Sequence, residues 1–249
     1  MLNDDVEAIE RATFAAVPPD AAEPLEGWLL GLDHGTVGRA HSAVPLAHVA
    51  PAPDFWHRVE ARYAAHGLVA VFRVPRVACF DGLRETLGAR GYLPHQPTCV
   101  KVGDTATLAR WADASGVLLC DTIDDAWAAV FLGDGFDPVD GAHRVRLLRR
   151  ARQAVHAGVR MNGSIVAVGS GGFGEGWVGV HGMRTAQAFR GQGLASRVLA
   201  ALGAAAQARG VARVFLQVDA ASPARALYRR AGFSEAWVYE YWRRPVPAA

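Results

Sequence analysis

A short glycine-rich turn in the second half of the chain has the residue types needed to bind a diphosphate. The segment reads Arg190-Gly191-Gln192-Gly193-Leu194-Ala195, between a strand-like stretch and an alanine- and leucine-rich stretch that predicts a helix. The first turn of a helix carries unpaired backbone N–H groups and a partial positive charge, which together attract anions. Because Gly191 and Gly193 lack side chains, a diphosphate could approach these donors directly, and Arg190 would add a cation.

Glycine turns also precede helices in other nucleotide-binding folds and at ordinary helix starts, so the surrounding sequence must discriminate. A dinucleotide-binding fold has the turn at the start of a parallel β-α-β unit, with an acidic residue about twenty positions later. Here the preceding strands are predicted to form antiparallel hairpins. A nucleoside-triphosphate loop requires Gly-Lys-Ser or Gly-Lys-Thr, and neither follows the turn.

Two turns are predicted upstream of this segment. Asn162-Gly163 supplies the positive φ angles of a tight hairpin, so residues 157–161 and 164–169 are predicted to pair as antiparallel strands. A second, glycine-rich turn is predicted over residues 171–176. A third strand over residues 177–185 would then lead into the glycine turn.

Two helices are predicted around these strands. One runs from about residue 194 to 207, directly after the glycine turn. The other is a surface helix with a basic face, indicated by apolar residues at helical spacing: Val145, Leu148, Ala151 and Val155.

The two halves of the chain share an order of elements: a strand, a helix, a glycine followed by an aromatic residue, and a further strand. In the first half these are residues 71–74, the stretch ending at residue 90, Gly91-Tyr92 and residues 98–102; in the second, residues 214–218, 224–231, Gly232-Phe233 and 237–242. Convergence on a common strand-helix-strand unit is the alternative to duplication. We favour duplication, with residues 1–103 and 104–249 as the two units.

With this order of elements, the second half resembles the GNAT superfamily of acyl-coenzyme A N-acyltransferases. Arg190, Gly193 and Ala195 match its signature of Arg or Gln, two residues, Gly, one residue, then Gly or Ala. The segment 226–233 also looks like that superfamily, and the likeness is good over about residues 124–244. The resemblance implies an α/β (α+β) fold with a mixed, mostly antiparallel sheet flanked by helices, present twice in tandem, the first copy degenerate and non-catalytic.

The resemblance also implies where acetyl-coenzyme A would bind. Two strands of the second half would splay apart with the pantetheine arm between them, bonded by backbone groups of Met183 and Thr185. The Met183 N–H would polarise the thioester carbonyl. The implied cofactor-binding residues are Met183, Arg184, Thr185, Arg190, Gly191, Gln192, Gly193, Leu194, Ala195, Ser196 and Ser222, and no metal is implied.

Tyr228 occupies the position at which the superfamily has a catalytic tyrosine, so the resemblance implies that it protonates the leaving coenzyme A thiolate. A phenol with a reference pKa of about 10 stays protonated at neutral pH and can donate to sulfur. The alternative is an ordinary core aromatic, since Ala224, Leu227, Tyr228 and Ala231 form a helical stripe. We favour the catalytic role.

The acceptor amine must lose a proton, and His181 is the candidate base. It lies two residues before Met183, so strand alternation would point both side chains to the same face of the sheet. A structural histidine is the alternative reading, and Glu175, His143 and Asp219 are further candidates for the base.

The sequence departs from the superfamily pattern in two places. Ala221 stands where many members have an asparagine that holds the pantetheine arm; Ser222 could substitute and would cap a helix starting at Pro223. In the first half, the segment between Val44 and Gly67 lacks an arginine-glycine turn and Leu87 stands at the position of Tyr228, so this half is expected to be catalytically silent. Its candidates for shaping an acceptor pocket between the halves are Trp28, Asp33, His34, Arg39, Trp56 and His57.

Bulk composition excludes several other classes of protein. The 26 basic and 24 acidic residues are too evenly balanced to predict nucleic-acid binding. Cys79, Cys99 and Cys120 are too widely separated for a zinc site or a redox dithiol, which favours a reducing compartment. The N-terminus is acidic where a signal peptide would be basic, and no apolar run approaches the roughly 18 residues of a membrane span. We expect a bacterial, cytoplasmic protein without nucleic-acid or membrane partners.

Together these observations predict an N-acetyltransferase that moves an acetyl group directly from acetyl-coenzyme A to a primary amine of a small-molecule or amino-acid-like acceptor. No cysteine lies in the motifs, so a covalent acyl-enzyme has no evident nucleophile. The alternatives are a non-catalytic acyl-coenzyme A sensor and a protein N-acetyltransferase. A homodimer is also considered.

Overall fold

The computed structural model describes residues 3–245, which form eight α-helices and eleven strands. The helices are α1 (Asn3–Ala16), α2 (Phe55–Ala65), α3 (Asp81–Ala89), α4 (Thr105–Ala109), α5 (Asp125–Ala128), α6 (Pro138–Arg150), α7 (Leu194–Ala208) and α8 (Ala224–Arg230). The strands are β1 (Ala21–Leu25), β2 (Trp28–Leu32), β3 (Ala43–Pro45), β4 (Phe72–Pro75), β5 (Leu93–Asp104), β6 (Val117–Cys120), β7 (Ala154–Met161), β8 (Ser164–Gly174), β9 (Trp177–Thr185), β10 (Arg213–Asp219) and β11 (Ser234–Arg243).

All these strands belong to one sheet, in the order β1-β2-β3-β4-β11-β5-β10-β9-β8-β7-β6. The pairs β3–β4 and β9–β10 are parallel, and the other neighbours are antiparallel. The prediction of a mixed, mostly antiparallel sheet flanked by helices is therefore confirmed.

The last strand of each predicted unit lies among strands of the other unit. β5, from the first half, lies between β10 and β11, and β11 in turn lies between β5 and β4. Gly91 and Gly232, which precede these two strands, both adopt left-handed conformations, with φ of +80° and +93°. The division into two duplicated units, between residues 103 and 104, stays a prediction. The sheet contains strands of both predicted units and is continuous.

Helices α1 and α7 cover opposite faces of the central strands. Val198, Leu199 and Leu202 of α7 are buried against β7, β8 and β9. Ile9 of α1 is buried in a separate cluster that includes Phe215. Each such side chain contributes about 1.5–3 kcal/mol when fully buried, so these two apolar faces hold the helices on the sheet.

The glycines of the predicted turn over residues 171–176 serve a different purpose, so that prediction is wrong in its extent. Most of them lie within β8, and the turn itself consists of Glu175-Gly176. A side chain at Gly172 would collide with Ala16, so glycine lets α1 pack directly on the strand. The hairpin at Asn162-Gly163 has the expected positive φ angles of +50° and +84°.

The surface helix ends earlier than its apolar spacing predicts. Helix α6 stops at Arg150 because Ala151 has an extended conformation with ψ of 120°. Val155 is therefore a residue of β7, buried beneath α7, rather than the last member of a helical stripe.

A fully buried ion pair joins α1 to β4. Glu10 and Arg73 are 1% and 0% exposed, and Arg73 Nη1 lies 2.8 Å from Glu10 Oε2. Burial raises the pKa of Glu10, and the charge of Arg73 opposes that effect. The Arg73 guanidinium also lies 5.2 Å from the centre of the Tyr239 ring.

Replacing Glu10 by Gln is expected to lower the free energy of unfolding by about 3–5 kcal/mol, because the Arg73 guanidinium would keep its charge without a buried counter-charge. Equilibrium urea unfolding measures this loss. Glu7→Gln is the matched control, since Glu7 pairs with Arg11 at the exposed surface of the same helix, where loss of a pair costs about 1 kcal/mol or less. Equal losses in the two variants would contradict the prediction.

No helix within residues 3–245 combines the length and apolar character needed to cross a bilayer. The same stretch of chain contains no cluster of three or more His, Cys, Asp or Glu side chains arranged to hold a metal ion.

Candidate active site

Two parallel strands part to form a fork at the centre of the sheet. Parallel pairing between β9 and β10 begins at Trp177–Arg213 and ends at Val180–Leu216, although both strands continue. A cavity of about 480 Å³ opens at this fork. Strands that diverge in this way leave backbone groups free to bind an extended ligand.

A β-bulge centred on Gly182 shapes the β9 side of the fork. Val168 of β8 is paired with Arg184 and Ser170 with His181, so β9 has one residue more than β8 in this interval. Gly182 has φ of +61°, and a side chain there would lie 2.8 Å from Leu148 Cδ1. A substitution at this position would therefore be strained and crowded.

The bulge places His181 and Met183 on opposite faces of the sheet, so the prediction that they share a face is wrong. His181 packs edge-on against Phe215, with ring centres 5.7 Å apart, on the α1 side. Met183 packs on the α7 side, next to Gly169 and Val198. Simple strand alternation fails because the bulge inserts a residue between the two positions.

The predicted diphosphate-binding turn precedes α7. Gly191 and Gly193 are exposed and left-handed, with φ of +79° and +74°, and each has open space where a side chain would be. Gly193 is the N-cap residue and provides no side-chain cap for the N–H groups of the first turn. Exposed donors at the start of a 15-residue helix fit a diphosphate group.

The other residues predicted for the cofactor site surround this turn or line the cavity. Arg190 is exposed, and its Nε donates a hydrogen bond to the Thr185 carbonyl oxygen at 3.3 Å. Gln192 is exposed, Leu194 is buried in the core, and Ala195 and Ser196 are half-buried. Met183, Arg184 and Ser222 line the cavity at the fork.

Ser222 lies at the start of α8. Its Oγ accepts a hydrogen bond from the Ala224 N–H at 3.2 Å, which is a capping contact, and the helix begins one residue after the predicted Pro223. Contact of Ser222 with a cofactor stays a prediction.

Both halves of the chain contribute to the cavity wall. The second half provides Phe131, Arg144, Val180, His181, Gly182, Met183, Arg184, Leu216, Gln217, Val218, Asp219, Ser222, Tyr228, Tyr239 and Tyr241. The first half provides Thr36, Val37, Gly38, Arg39, Gln96 and Thr98. The site is therefore completed by the loop after β2 and by β5.

Tyr228 lines the cavity from α8 while most of its ring is packed in the core. The residue is 8% exposed, and its ring meets Phe233 edge-on with centres 6.0 Å apart. Burial raises the pKa of Tyr228 to about 12, and the positive charge of Arg39 opposes that rise. The phenol thus stays protonated at neutral pH and can act as a proton donor.

His181 is 3% exposed, and neither ring nitrogen has a hydrogen-bond partner among the residues described. Burial, together with the positive charge of Arg39, lowers the pKa of His181 to about 3. The ring is therefore neutral above acidic pH, with one nitrogen available to accept a hydrogen bond. An imidazole with so low a pKa is a weak proton acceptor, so its role as general base stays a prediction.

Replacing His181 by Gln is expected to reduce the acid sensitivity of the fold. The pKa of a histidine in an unfolded chain is about 6.5, so the unfolded state binds the proton first, and stability is lost as pH falls below that value. From pH 7.5 to 5.0 the loss due to His181 is about 2 kcal/mol. Urea unfolding at both pH values measures it. The variant should still lose a comparable amount of stability on acidification because of His156, whose pKa is lowered to about 4. If the variant and the wild type lose the same free energy of unfolding between pH 7.5 and 5.0, the prediction is wrong.

The other candidate bases are spread over the molecule. Asp219 lines the cavity at the end of β10, where its Oδ1 accepts a hydrogen bond from the Ala221 N–H at 2.8 Å. His143 of α6 accepts a hydrogen bond from the Thr36 N–H at 3.1 Å but does not itself line the cavity. Glu175 lies in the β8–β9 turn, at the opposite end of β9 from the fork. Asp219 therefore shares the cavity with His181.

Among the residues proposed from the first half, Arg39 lines the cavity and the rest lie elsewhere. Asp33 is buried and accepts hydrogen bonds from Arg146 and Arg150 at 3.0 and 3.2 Å. Trp28 belongs to the apolar core of the first half, and Trp56 stacks on the Arg90 guanidinium. His34 and His57 are exposed side chains outside the cavity.

The polar residues of the cavity wall that sequence reasoning missed include Gln96, Thr98, Tyr239 and Tyr241. They lie on β5 and β11, the two strands exchanged between the halves. Motif spacing contains no signal for such long-range pairing. The tyrosines of β11 were visible only as part of an apolar strand pattern.

The sheet, its fork and the glycine turn before α7 define the fold of GCN5-related N-acetyltransferases. A GCN5-related N-acetyltransferase from Kribbella flavida superimposes with a TM-score of 0.72 at 18% identity, covering 99% of this chain and 96% of that one. A functionally unknown conserved protein from Staphylococcus epidermidis ATCC 12228 gives 0.68 at 14% identity, covering 96% and 100%. A tandem GNAT protein from the clavulanic acid biosynthesis pathway gives 0.62 at 15% identity, covering 100% and 98%.

Residues 4–242 match the model of a family described as "Probable histone acetyltransferase Rv0428c C-terminal", and the chain belongs to that family. It is accordingly an acyl-coenzyme A-dependent N-acetyltransferase, as the resemblance implied. No curated protein matches the sequence at a significant level.

Proposed function

We propose that the chain transfers an acetyl group from acetyl-coenzyme A directly to a primary amine of a small molecule. The carrying observation is the fork between β9 and β10, where Tyr228 lines the cavity and the glycine turn of α7 follows β9. This arrangement provides a diphosphate cradle, a gap for an extended arm and a proton donor in one continuous region.

The residues have distinct roles in this proposal. Backbone N–H groups between residues 190 and 196 hold the diphosphate, and the Met183 N–H polarises the thioester carbonyl. The amine attacks that carbon, so a C–N bond forms as the C–S bond breaks. Tyr228 donates a proton to the departing thiolate. The amine proton passes to His181 or Asp219, directly or through water.

The shape of the cavity favours a small acceptor. Its volume of about 480 Å³ lies within the range of small-molecule sites, and residues 36–39 close it from the first half. The family description favours a second candidate, transfer to a protein amine. A sensor that binds acetyl-coenzyme A without transferring the acetyl group is a third, and the position of Tyr228 in the cavity argues against it.

Calorimetry with acetyl-coenzyme A, followed by thiol release with a panel of small amines and lysine peptides, tests the proposal. We expect binding, and amine-dependent thiol release with small amines. Absence of binding to well-folded protein would refute the proposed function. Turnover restricted to peptides would favour a protein acceptor, and binding without turnover on any amine would favour the sensor.

A further inference from the structure

Four side chains give the cavity wall its formal charges: Arg39, Arg144, Arg184 and Asp219. Arg144 and Arg184 are both paired with Asp140, at 2.6 and 3.5 Å. Asp219 accepts a backbone hydrogen bond from its own loop. Among the three arginines of the wall, Arg39 is therefore the one that has no ion pair with a residue between positions 3 and 245.

Arg39 has no hydrogen bond and no ion pair with any residue between positions 3 and 245, and its Nε is buried without a partner. The charge of Arg39 acts on the buried carboxylate of Glu10, but Glu10 is already paired with Arg73. That pair has no net charge, so it leaves Arg39 uncompensated. A buried guanidinium nitrogen without a protein partner suggests that a ligand accepts its hydrogen bond.

The loop that carries Arg39 is fixed on both sides. The Gly35 N–H donates to buried Asp33 at 2.6 Å, and the Ser42 hydroxyl donates to the Gly38 carbonyl at 2.7 Å. A side chain at Gly38 would lie 2.9 Å from the Tyr241 ring, so glycine permits the loop to approach β11 closely. The backbone that carries Arg39 is thus preorganised beside the cavity.

Arg39 lies on the acceptor side of the cavity rather than on the diphosphate side. Its charge acts on His181 and Tyr239 on the α1 face of the sheet, and also on Tyr228, which packs on the α7 side. Arg39 lines the cavity at the fork, whereas the residues of the glycine turn before α7 do not. We therefore assign an anion at Arg39 to the acceptor rather than to the diphosphate of coenzyme A.

We propose that Arg39 binds a carboxylate of the acceptor, so that the substrates are amino acids or similar small amines bearing an acidic group. The planar guanidinium matches a carboxylate in geometry and can form two charge-assisted hydrogen bonds with it. The assignment of this carboxylate to an acceptor rests on the proposed function. Binding of an anion at Arg39 can be measured independently of acetyl transfer.

The test compares three N-acetylated acids, N-acetylglycine, N-acetyl-β-alanine and 4-acetamidobutanoate, with their carboxamides. Each is titrated into the free protein and into protein saturated with coenzyme A. We expect at least one acid to bind about tenfold or more tightly than its carboxamide, and Arg39→Gln to bring the two Kd values within about twofold. Arg39→Lys is expected to retain part of the preference.

Arg160→Gln is the matched control, since Arg160 is an exposed arginine near the β7–β8 hairpin, away from the cavity. Equal binding of acids and amides to the wild type, or no binding of either, overturns the proposal even if Arg39→Gln fails to fold. So does an acid preference that survives in Arg39→Gln. Preference for a lysine peptide with a neighbouring acidic residue over all the small acids also overturns it.

Calorimetry with acetyl-coenzyme A separates the two proposals. Binding of coenzyme A without an acid preference removes the role of Arg39 and leaves the transferase. An Arg39-dependent acid preference without coenzyme A binding removes the transferase and leaves the anion site.

Discussion

Tyr228→Phe is expected to lower kcat by about 10²–10³-fold while leaving the Kd for acetyl-coenzyme A within about twofold of wild type. The substitution removes the hydroxyl of a residue that lines the cavity but keeps the ring that packs against Phe233. Steady-state thiol release at saturating acetyl-coenzyme A measures kcat, and calorimetry measures the Kd. The split between the two quantities identifies a proton donor rather than a packing residue.

The loss should be constant between about pH 6 and 9, because Tyr228 has a pKa of about 12 and stays protonated throughout that interval. Tyr92→Phe is the matched control. Its hydroxyl donates to Glu60 at 2.8 Å in the first half, outside the cavity. A kcat for Tyr228→Phe equal to that of this control would show that the phenol takes no part in the reaction.

Gly193→Asp is expected to weaken the binding of acetyl-coenzyme A by at least about 100-fold. Gly193 is the N-cap of α7, where the carboxylate of an aspartate would repel a diphosphate held on the N–H groups of the first turn. The left-handed φ of +74° is one that Asp and Asn tolerate better than most residues. Calorimetry gives the change in Kd.

Gly193→Asn separates charge from shape, since asparagine has nearly the same size and backbone strain as aspartate without the negative charge. We expect Gly193→Asp to bind at least about tenfold more weakly than Gly193→Asn, with the gap narrowing as salt concentration rises. Identical affinities in the two variants would mean that the diphosphate does not lie at this helix terminus.

The local elements of the second half were predictable because each is specified by adjacent residues. Asn162-Gly163 specifies its hairpin, and the glycine turn with the apolar stretch after it specifies the start of α7. The bulge at Gly182 was not predictable from the sequence, since a glycine in a strand pattern does not reveal which way the next side chain points. That one residue reverses the relation between His181 and Met183.

Tertiary contacts explain the remaining differences. The glycines of β8 indicated a turn, but they exist because α1, over 150 residues earlier in the chain, packs on that strand. Arg39 was one of six candidates of equal standing until the structure showed that its loop lines the cavity and that it lacks a partner. Neither the packing of α1 on β8 nor the position of Arg39 at the cavity can be predicted from the spacing of neighbouring residues.

The interleaving of β5 and β11 makes each half an obligate component of the other. A fragment beginning at residue 104 would keep the glycine turn and Tyr228 but would lose the strand that joins β10 to β11, and with it Gln96 and Thr98. Removing the first half would therefore leave β10 and β11 without the strand between them, and would also remove the loop that bears Arg39.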